Sequence, residues 1–189
     1  MMRAFLLALI AIATIIAVAA CGGSYASTTT TRPAPPQTLS SQMYGFRVAL
    51  PGNWSGQDAT GEWDGKELGP LDDPEWADAT DAGFGRVLGV MSAPTGMGLA
   101  GWRAAVVRIA PDVCSESPSA VQTSLGGAPA LEWTAACPHA QTGRTQVINL
   151  AALHGTHGYI MILASPAGSN AAESRRLFES VRQSFRFTR

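Results

Sequence analysis

The sequence has little charge and few basic side chains. Charged residues make up 14% of its 189 residues, with 13 Lys and Arg against 14 Asp and Glu. A nucleic-acid-binding surface needs clustered Lys and Arg side chains that neutralise phosphates. The composition therefore predicts no nucleic-acid partner.

The motifs of several common enzyme classes are also absent. The sequence has no Gly-x-Ser-x-Gly, no His-Glu-x-x-His and no Cys-x-x-Cys, the elements that carry many hydrolase and redox sites. Residues 96–101 read Gly-x-Gly-x-x-Gly, but no alternation of strands and helices follows them, as a dinucleotide-binding fold requires. We predict a flexible loop and a helix start there, and a non-catalytic protein with no cofactor.

The N-terminus is an apolar segment that ends in a cysteine. Residues 4–20 are apolar apart from one threonine and follow Arg3, as in a secretory signal. The run closes with Val-Ala-Ala-Cys, ending at Cys21, which resembles a bacterial lipobox. The resemblance implies cleavage before Cys21 and lipid attachment to it, including palmitate. Residues 1–20 are then a signal peptide; an uncleaved membrane anchor is the alternative.

The next segment differs from the rest in composition. Residues 21–42 contain the anchor cysteine and a linker rich in threonine, serine and proline. Such a segment has little to bury, so we predict that it is disordered. Residues 43–189 are long enough for one domain. The lipid anchor would place this domain at the outer face of a bacterial cell membrane, because two acyl chains hold a protein firmly on a bilayer.

The remaining cysteines are Cys114 and Cys137. An even pair outside the cytoplasm predicts a disulfide. The sequence between them alternates around Gly126-Gly127, which predicts a hairpin that places Glu116 opposite Cys137. Cys114 then lies two residues off register. The bond would close a loop of about 24 residues, worth about 3.4 kcal/mol in the chain-entropy model. A redox or metal pair is the alternative.

Hydrophobic periodicity predicts an α+β fold. Strands are expected at 46–50 and 86–91, hairpins at 121–134 and 147–163, and helices around 99–109 and 177–185. Asn170 can cap the last helix, with Glu173 completing a capping box. Hairpins with two helices imply an antiparallel sheet with helices packed on it.

The opening of the domain resembles the PsbP-like superfamily. Residues 44–54 read Tyr-Gly-Phe-Arg-Val-Ala-Leu-Pro-Gly-Asn-Trp, and the ending resembles the superfamily in an apolar hairpin, a Ser-Pro exit and a final helix. Actinobacterial lipoproteins of the LpqN/LpqT type share this layout. The resemblance implies an antiparallel sheet between helices and members that act as binding or assembly factors.

Two metal sites have weak support in the sequence. His154 and His157 flank a turn, with His139 in another loop, and imidazoles can bind zinc or copper. Residues 60–65 are similar to the middle of an EF-hand loop, but the first and twelfth positions do not fit. We predict solvated loops and no metal ion in both places.

An acidic insertion is the predicted binding surface. Nine of the 14 acidic residues fall within 58–81, and residues 56–83 show no clear strand or helix period. Long loops in compact domains usually have a function. Exposed aromatic rings beside carboxylates bind basic peptides or sugars. The residues predicted to contact a partner are Trp63, Trp76, Asp72, Asp73 and Glu75. A solvated loop whose tryptophans fix it to the core is the alternative.

Two function classes stay open. The first is a non-catalytic, lipid-anchored binding or adaptor module with an envelope partner. The second is a carrier of an envelope lipid or glycan, and an enzyme is a further alternative to both. An apolar pocket between sheet and helices would favour the carrier, whereas a filled core with an exposed patch would favour the adaptor.

Overall fold

A computed structural model describes residues 35–81, 83–110, 114–139, 143–166 and 168–189. Within them lie eleven strands and two helices. In chain order they are β1 (Gln37–Ser41), β2 (Phe46–Leu50), β3 (Trp54–Gln57), β4 (Ala77–Asp81), β5 (Arg86–Pro94), α1 (Leu99–Ile109), β6 (Ser115–Glu116), β7 (Val121–Leu125), β8 (Ala128–His139), β9 (Gly143–His154), β10 (His157–Pro166), α2 (Ala171–Ser184) and β11 (Arg186–Phe187). Among the described residues, no helix has the length and apolar character needed to cross a membrane.

Eight strands form one large antiparallel sheet. Their order is β3-β4-β5-β10-β9-β8-β6, and β7 also pairs with β8. The two predicted hairpins are confirmed as β7–β8 and β9–β10. Strand β10 is central and is buried along almost its whole length. The α+β prediction is therefore confirmed as a mostly antiparallel sheet with two helices.

The large sheet has two covered faces, which we name after the helix that packs on each. On the α1 face, Gly158 of β10 lies directly under the Trp102 ring of α1. On the α2 face, Ser165 of β10 bonds to Ser174 of α2. Side chains alternate along strands, so the pairing register assigns every other sheet residue to one face or the other.

A second sheet covers part of the α2 face. Strands β1, β2 and β11 form this small antiparallel sheet, which the sequence did not predict. Strand β1 also corrects the linker, since residues 37–41 were expected to be disordered. Leu39 and Ser41 of β1 are buried, and Leu39 packs against Gly56 of β3. The alternation of exposed and buried residues in β1 is short, and its polar, proline-rich surroundings obscure it in the sequence.

Both helices start close to their predicted positions. Gly98 precedes α1, and the Gly-x-Gly-x-x-Gly segment forms the loop and helix start, as predicted. Asn170 caps α2, because its side chain accepts hydrogen bonds from the amides of Ala172 and Glu173. The capping box is not completed: the Glu173 carboxylate instead accepts a hydrogen bond from Arg86 at 2.8 Å. A buried guanidinium outcompetes the exposed backbone amide for this carboxylate.

The acidic insertion is shorter than predicted, because strands occupy both ends of residues 56–83. Residues Ala77–Asp81 form β4, paired with β3 and β5. The sequence Ala-Asp-Ala-Thr-Asp does alternate, but small and acidic residues have low strand propensity. Partners on both sides override that propensity. The connection without regular structure is therefore residues 58–76, which we call the acidic loop.

Candidate functional site

A disulfide joins Cys114 and Cys137. The register predicted from the sequence leaves the two cysteines two residues out of alignment across the hairpin, whereas in the structure they are aligned. Strand β7 pairs Val121 with Glu132, whereas β6 pairs Glu116 with Ala135. Two extra residues of the intervening segment are therefore looped out, and the prediction that Glu116 faces Cys137 is wrong. The slip brings the cysteines directly opposite each other.

The acidic loop is held by one tyrosine. The Tyr44 hydroxyl donates to the Glu75 carbonyl at 2.6 Å and accepts from the Trp63 amide at 3.2 Å. Burial is the main cause that raises the pKa of Tyr44 to about 12; nearby carboxylates, including Glu75, contribute in the same direction, while the Trp63 hydrogen bond opposes it. A phenol that stays protonated keeps its donor role, so Tyr44 connects both ends of the loop at ordinary pH.

The two loop tryptophans are buried, which corrects the predicted partner-contact role of their rings. Trp63 is 3% exposed and Trp76 is 1% exposed. Trp63 packs edge-on against Trp102 of α1, with 5.9 Å between ring centroids, and Trp76 covers Gly89 of β5. Their indole nitrogens donate to backbone carbonyls inside the loop. The tryptophans therefore fix the loop to the core.

The three carboxylates predicted to bind a partner lie on the outside of the loop. Asp72 is exposed, and Asp73 and Glu75 are half-buried. Partial burial, followed by the negative charges of Asp64, Asp73 and Glu67, raises the pKa of Glu75. The structure thus keeps these carboxylates close together and separates them from the tryptophans. No described contact assigns them a partner.

The histidines and the loop oxygens do not form a metal site in the described part of the chain. His154 stacks on Phe187 at 3.9 Å, and its Nε2 lies 3.2 Å from the carbonyl oxygen of Arg189. His157 contacts the Thr156 hydroxyl, and the His139 side chain lies outside the described part. Asp64 pairs with Lys66 at 2.7 Å. No group of three His, Cys, Asp or Glu side chains that could hold a metal ion occurs among the described residues.

A cavity of about 240 Å³ lies on the α1 face. The acidic loop, the end of α1 and strands β8 to β10 surround it. Its apolar lining includes Leu68, Leu71, Trp76, Val147, Ile162 and the Cys114–Cys137 disulfide. Pro70 and Pro138, which are exposed, also line it, so the cavity reaches the surface. An apolar cavity between a sheet and its covering elements is typical of a small-molecule site.

Two polar side chains line the same cavity. The Glu116 carboxylate accepts a hydrogen bond from the indole of Trp133. Burial raises the pKa of Glu116, while that hydrogen bond and the nearby Arg103 lower it. Asn149 is 6% exposed, and its side-chain nitrogen has no hydrogen-bond partner. The cavity is thus apolar with one acid and one unsatisfied amide donor.

A larger depression of about 420 Å³ lies mainly on the α2 face, beside the start of α2. Polar side chains line much of it. Ser165 and Ser174 are buried there and bond to each other at 3.0 Å. Arg175 pairs with Glu132. The buried polar groups of this depression form hydrogen bonds with one another. They therefore need no ligand as a hydrogen-bond partner, unlike the unpaired amide of the smaller cavity.

Asn149 and Glu116 line the same cavity, and the sequence did not predict that they would lie near each other. Asn149 is an isolated polar residue in the apolar run of β9, a signal that indicates a buried amide. Glu116 reaches the site only because β6 pairs with β8 two residues out of the predicted register. The lipid-attachment residue, Cys21, lies outside the described residues.

Comparison with known proteins identifies the fold. The sequence matches no protein-family model and no curated protein. Solved structures do match. Cyanobacterial PsbP (CyanoP) from Synechocystis sp. PCC 6803 has a TM-score of 0.54 and 17% identity, with 90% of this chain and 98% of that chain covered.

Two further structures have the same fold. The Ran-binding protein Mog1p of Saccharomyces cerevisiae has a TM-score of 0.52 at 8% identity, over 82% of this chain and 96% of that one. A protein of Bacteroides thetaiotaomicron has a TM-score of 0.53 at 10% identity over 84% of this chain, which spans 50% of that protein's length. At these identities the matches show the fold alone. The chain has a fold similar to those of PsbP and Mog1.

Proposed function

We propose that this chain is a lipid-anchored binding or adaptor module at the outer face of a bacterial cell membrane and that it carries out no catalysis. The cellular location in this proposal rests on the lipobox-like sequence that ends at Cys21 together with the Cys114–Cys137 disulfide, and the binding role rests on the fold that the chain shares with the Ran-binding protein Mog1p. Disulfides persist in oxidising compartments, and a lipobox addresses a protein to one. Two independent features thus agree on the same place.

The anchor is tested by replacing Cys21 with Ser in the full chain. We expect release of the protein or accumulation of an unprocessed precursor, and loss of the acyl mass from the N-terminal peptide. The joint replacement of Cys114 and Cys137 with Ala is the matched control, because it removes the disulfide sulfurs of the folded domain, creates no free thiol there and leaves the anchor cysteine in place. Unchanged mass and membrane retention in the Cys21 variant would contradict the proposal.

The adaptor role is tested by recovery of partners from intact envelope. The protein is cross-linked in place and purified, and the bound proteins and lipids are identified by mass spectrometry. A variant with Asp72, Asp73 and Glu75 replaced by Asn and Gln tests the carboxylates of the acidic loop. We expect one partner to be lost in that variant if the acidic loop is the contact. Equal recovery assigns the contact elsewhere.

The carrier function is the second candidate, and the cavity on the α1 face favours it. An adaptor needs only an outer surface, whereas a carrier needs an internal space in which a ligand buries its apolar part. The apolar cavity of about 240 Å³ on the α1 face is open to the surface and offers such a space for one end of a ligand. Lipids recovered with the purified protein, in place of proteins, would favour this candidate.

A further inference from the structure

We propose that the cavity on the α1 face binds an uncharged amphiphile: a short alkyl chain that carries a carbonyl, ester or hydroxyl oxygen, with the oxygen placed against Asn149. This inference deepens the carrier candidate of the proposed function and does not depend on the lipid anchor. Size, lining, the unsatisfied amide and the nearby acid each fix one property of the ligand.

The size of the cavity limits the part of the ligand that it holds. Dry apolar cavities of about 150 Å³ accept a benzene molecule. A volume of about 240 Å³ therefore suits on the order of ten heavy atoms. That is one ring or an alkyl segment of about eight carbons, so a longer lipid would insert only one end.

The lining fixes the apolar part. Leu68 and Leu71 come from the acidic loop, and Val147 and Ile162 come from neighbouring central strands. Trp76 closes one side, where it packs over Gly89. Burying alkyl groups against these side chains is favourable, because it removes apolar surface from water. The loop thus contributes to the cavity with its inner side, while its carboxylates point outward.

Asn149 fixes the polar part. A buried amide nitrogen without an acceptor lowers the stability of the folded protein, and native proteins keep few such groups. Asn149 lines the cavity, and its side-chain nitrogen has no partner. A ligand oxygen would remove this cost, because carbonyl and hydroxyl oxygens accept from an amide N–H.

Glu116 excludes anionic ligands. Its carboxylate lines the same cavity and is already bonded to Trp133. Arg103 lies near Glu116 and partly offsets its charge, but it does not line the cavity. A fatty-acid carboxylate bound at Asn149 would therefore meet the negative charge of Glu116 first, and like charges repel. An alcohol, an ester or an amide has no such penalty. The acid thus selects for a neutral head group.

The test is photoaffinity labelling of the full chain, purified in detergent, with a diazirine analogue of 1-octanol. We expect the label on peptides that contain residues 68–76 or 147–149. Ala164→Leu should reduce that label at least fivefold by filling the cavity from β10. Ala136→Leu is the matched control: Ala136 is also half-buried but lines the α2-face depression, and labelling should stay within twofold of the parent.

Competition distinguishes the ligand classes. We expect 1-octanol to displace the probe at least tenfold better than octanoate, and Asn149→Leu to reduce octanol to the level of octane. Labelling that is equal in parent and Ala164→Leu, or that falls on other peptides, would overturn the site. Octanoate as effective as octanol would overturn the charge assignment.

Two further measurements keep the outcomes separate. Val147→Phe narrows the cavity from β9, so it replaces Ala164→Leu if that variant lacks a cooperative thermal transition. If the Cys21 variant shows that the chain carries no lipid anchor, we still expect the same labelling pattern, because the cavity lies in the folded domain. Loss of labelling with normal membrane anchoring would reject the ligand site and leave the adaptor proposal.

Discussion

Buried polar groups are paired on the α2 face of the large sheet, whereas several on the α1 face have no hydrogen-bond partner. On the α2 face, Arg86 pairs with Asp81 and Glu173, both at 2.8 Å, and the Ser165 and Ser174 hydroxyls bond to each other. On the α1 side, three buried atoms have no partner: Asp78 Oδ1, Arg103 Nε and Asn149 Nδ2. All the unsatisfied side-chain atoms found in the described residues lie on that one side.

On the α2 face the buried polar groups pair with one another and stabilise the fold. On the α1 face several buried polar atoms are unpaired and remain available to bind a ligand. The α2 face is closed by α2 and the small sheet, and its buried charges and hydroxyls are compensated. The α1 face is closed by one helix and an irregular loop, which leave a cavity and uncompensated polar groups. Violations of hydrogen-bond satisfaction concentrate at functional sites in natural proteins. The following predictions test this comparison, starting with the largest effect.

Removing Arg86 should cause the largest loss of stability. Arg86→Met leaves the fully buried Asp81 with an uncompensated charge, so we expect the free energy of unfolding to fall by about 4 kcal/mol. Urea unfolding monitored by circular dichroism measures it. Lys66→Met is the control, because the Lys66–Asp64 pair is exposed and its removal should leave stability nearly unchanged. Equal effects would refute the special status of the α2 face.

The disulfide should rank second. Replacing Cys114 and Cys137 together with Ala should lower the free energy of unfolding by about 3 kcal/mol, because the loop they close regains its freedom in the unfolded chain. The double variant should also weaken octanol labelling, since the disulfide lines the cavity. Unfolding with and without reductant gives the same comparison for the parent. A difference under about 1 kcal/mol would contradict the prediction.

Tyr44→Phe should loosen the acidic loop. It removes the hydrogen bonds to Glu75 and Trp63, which should cost about 2 kcal/mol and increase amide exchange within residues 58–76. The pH dependence provides a second readout. The folded-state pKa is raised to about 12, so the unfolded chain loses this proton first. The stability of the parent should therefore fall as pH rises from about 10 to 12.

The Tyr44→Phe variant is its own control in that pH range. It has no phenol at this position, so its stability should fall less steeply between pH 10 and 12 than that of the parent. Parallel pH curves for the two proteins would show that Tyr44 does not titrate with a raised pKa. Unchanged exchange in the acidic loop would show that other contacts hold it.

Asn149→Leu should have the smallest effect and the opposite sign. Its unpaired amide contributes no hydrogen bond through nitrogen, so an apolar replacement should leave stability unchanged or raise it by about 1 kcal/mol. Ser165→Val, on the α2 face, breaks the Ser165–Ser174 bond and should lower stability by about 1 kcal/mol. Thermal unfolding measures both. A larger loss for Asn149→Leu would place it among the structural residues.

Local sequence patterns predicted many of the regular elements. Alternation gave the β7–β8 and β9–β10 hairpins, and helical spacing gave α1 and α2. Strand β3 was missed because it is a four-residue Trp-Ser-Gly-Gln segment, and β4 was missed because its Ala and Asp residues have low strand propensity, which its partners on both sides override. The small sheet was missed because β11 is two residues long and meets β2 across most of the chain.

The candidate site was predicted only in its weakest outline. A pocket between sheet and helices was named as a possibility, but the residues assigned to binding were those of the acidic loop. Trp63 and Trp76 look like exposed ligand contacts in a sequence of acidic residues. Their burial depends on Trp102 and Gly89, which lie far away along the chain.

The strand and helix periods, the lipobox-like end of the leader and the parity of the cysteines can all be read from the order of the amino acids. These are local or countable properties, and they need no knowledge of which surfaces meet. Three other features follow from the packing of the folded chain: Cys114 faces Cys137, the acidic loop turns its tryptophans inward, and Asn149 and Glu116 line one cavity. Each of these depends on register and packing between distant segments, where a shift of two residues changes which side chains share a space.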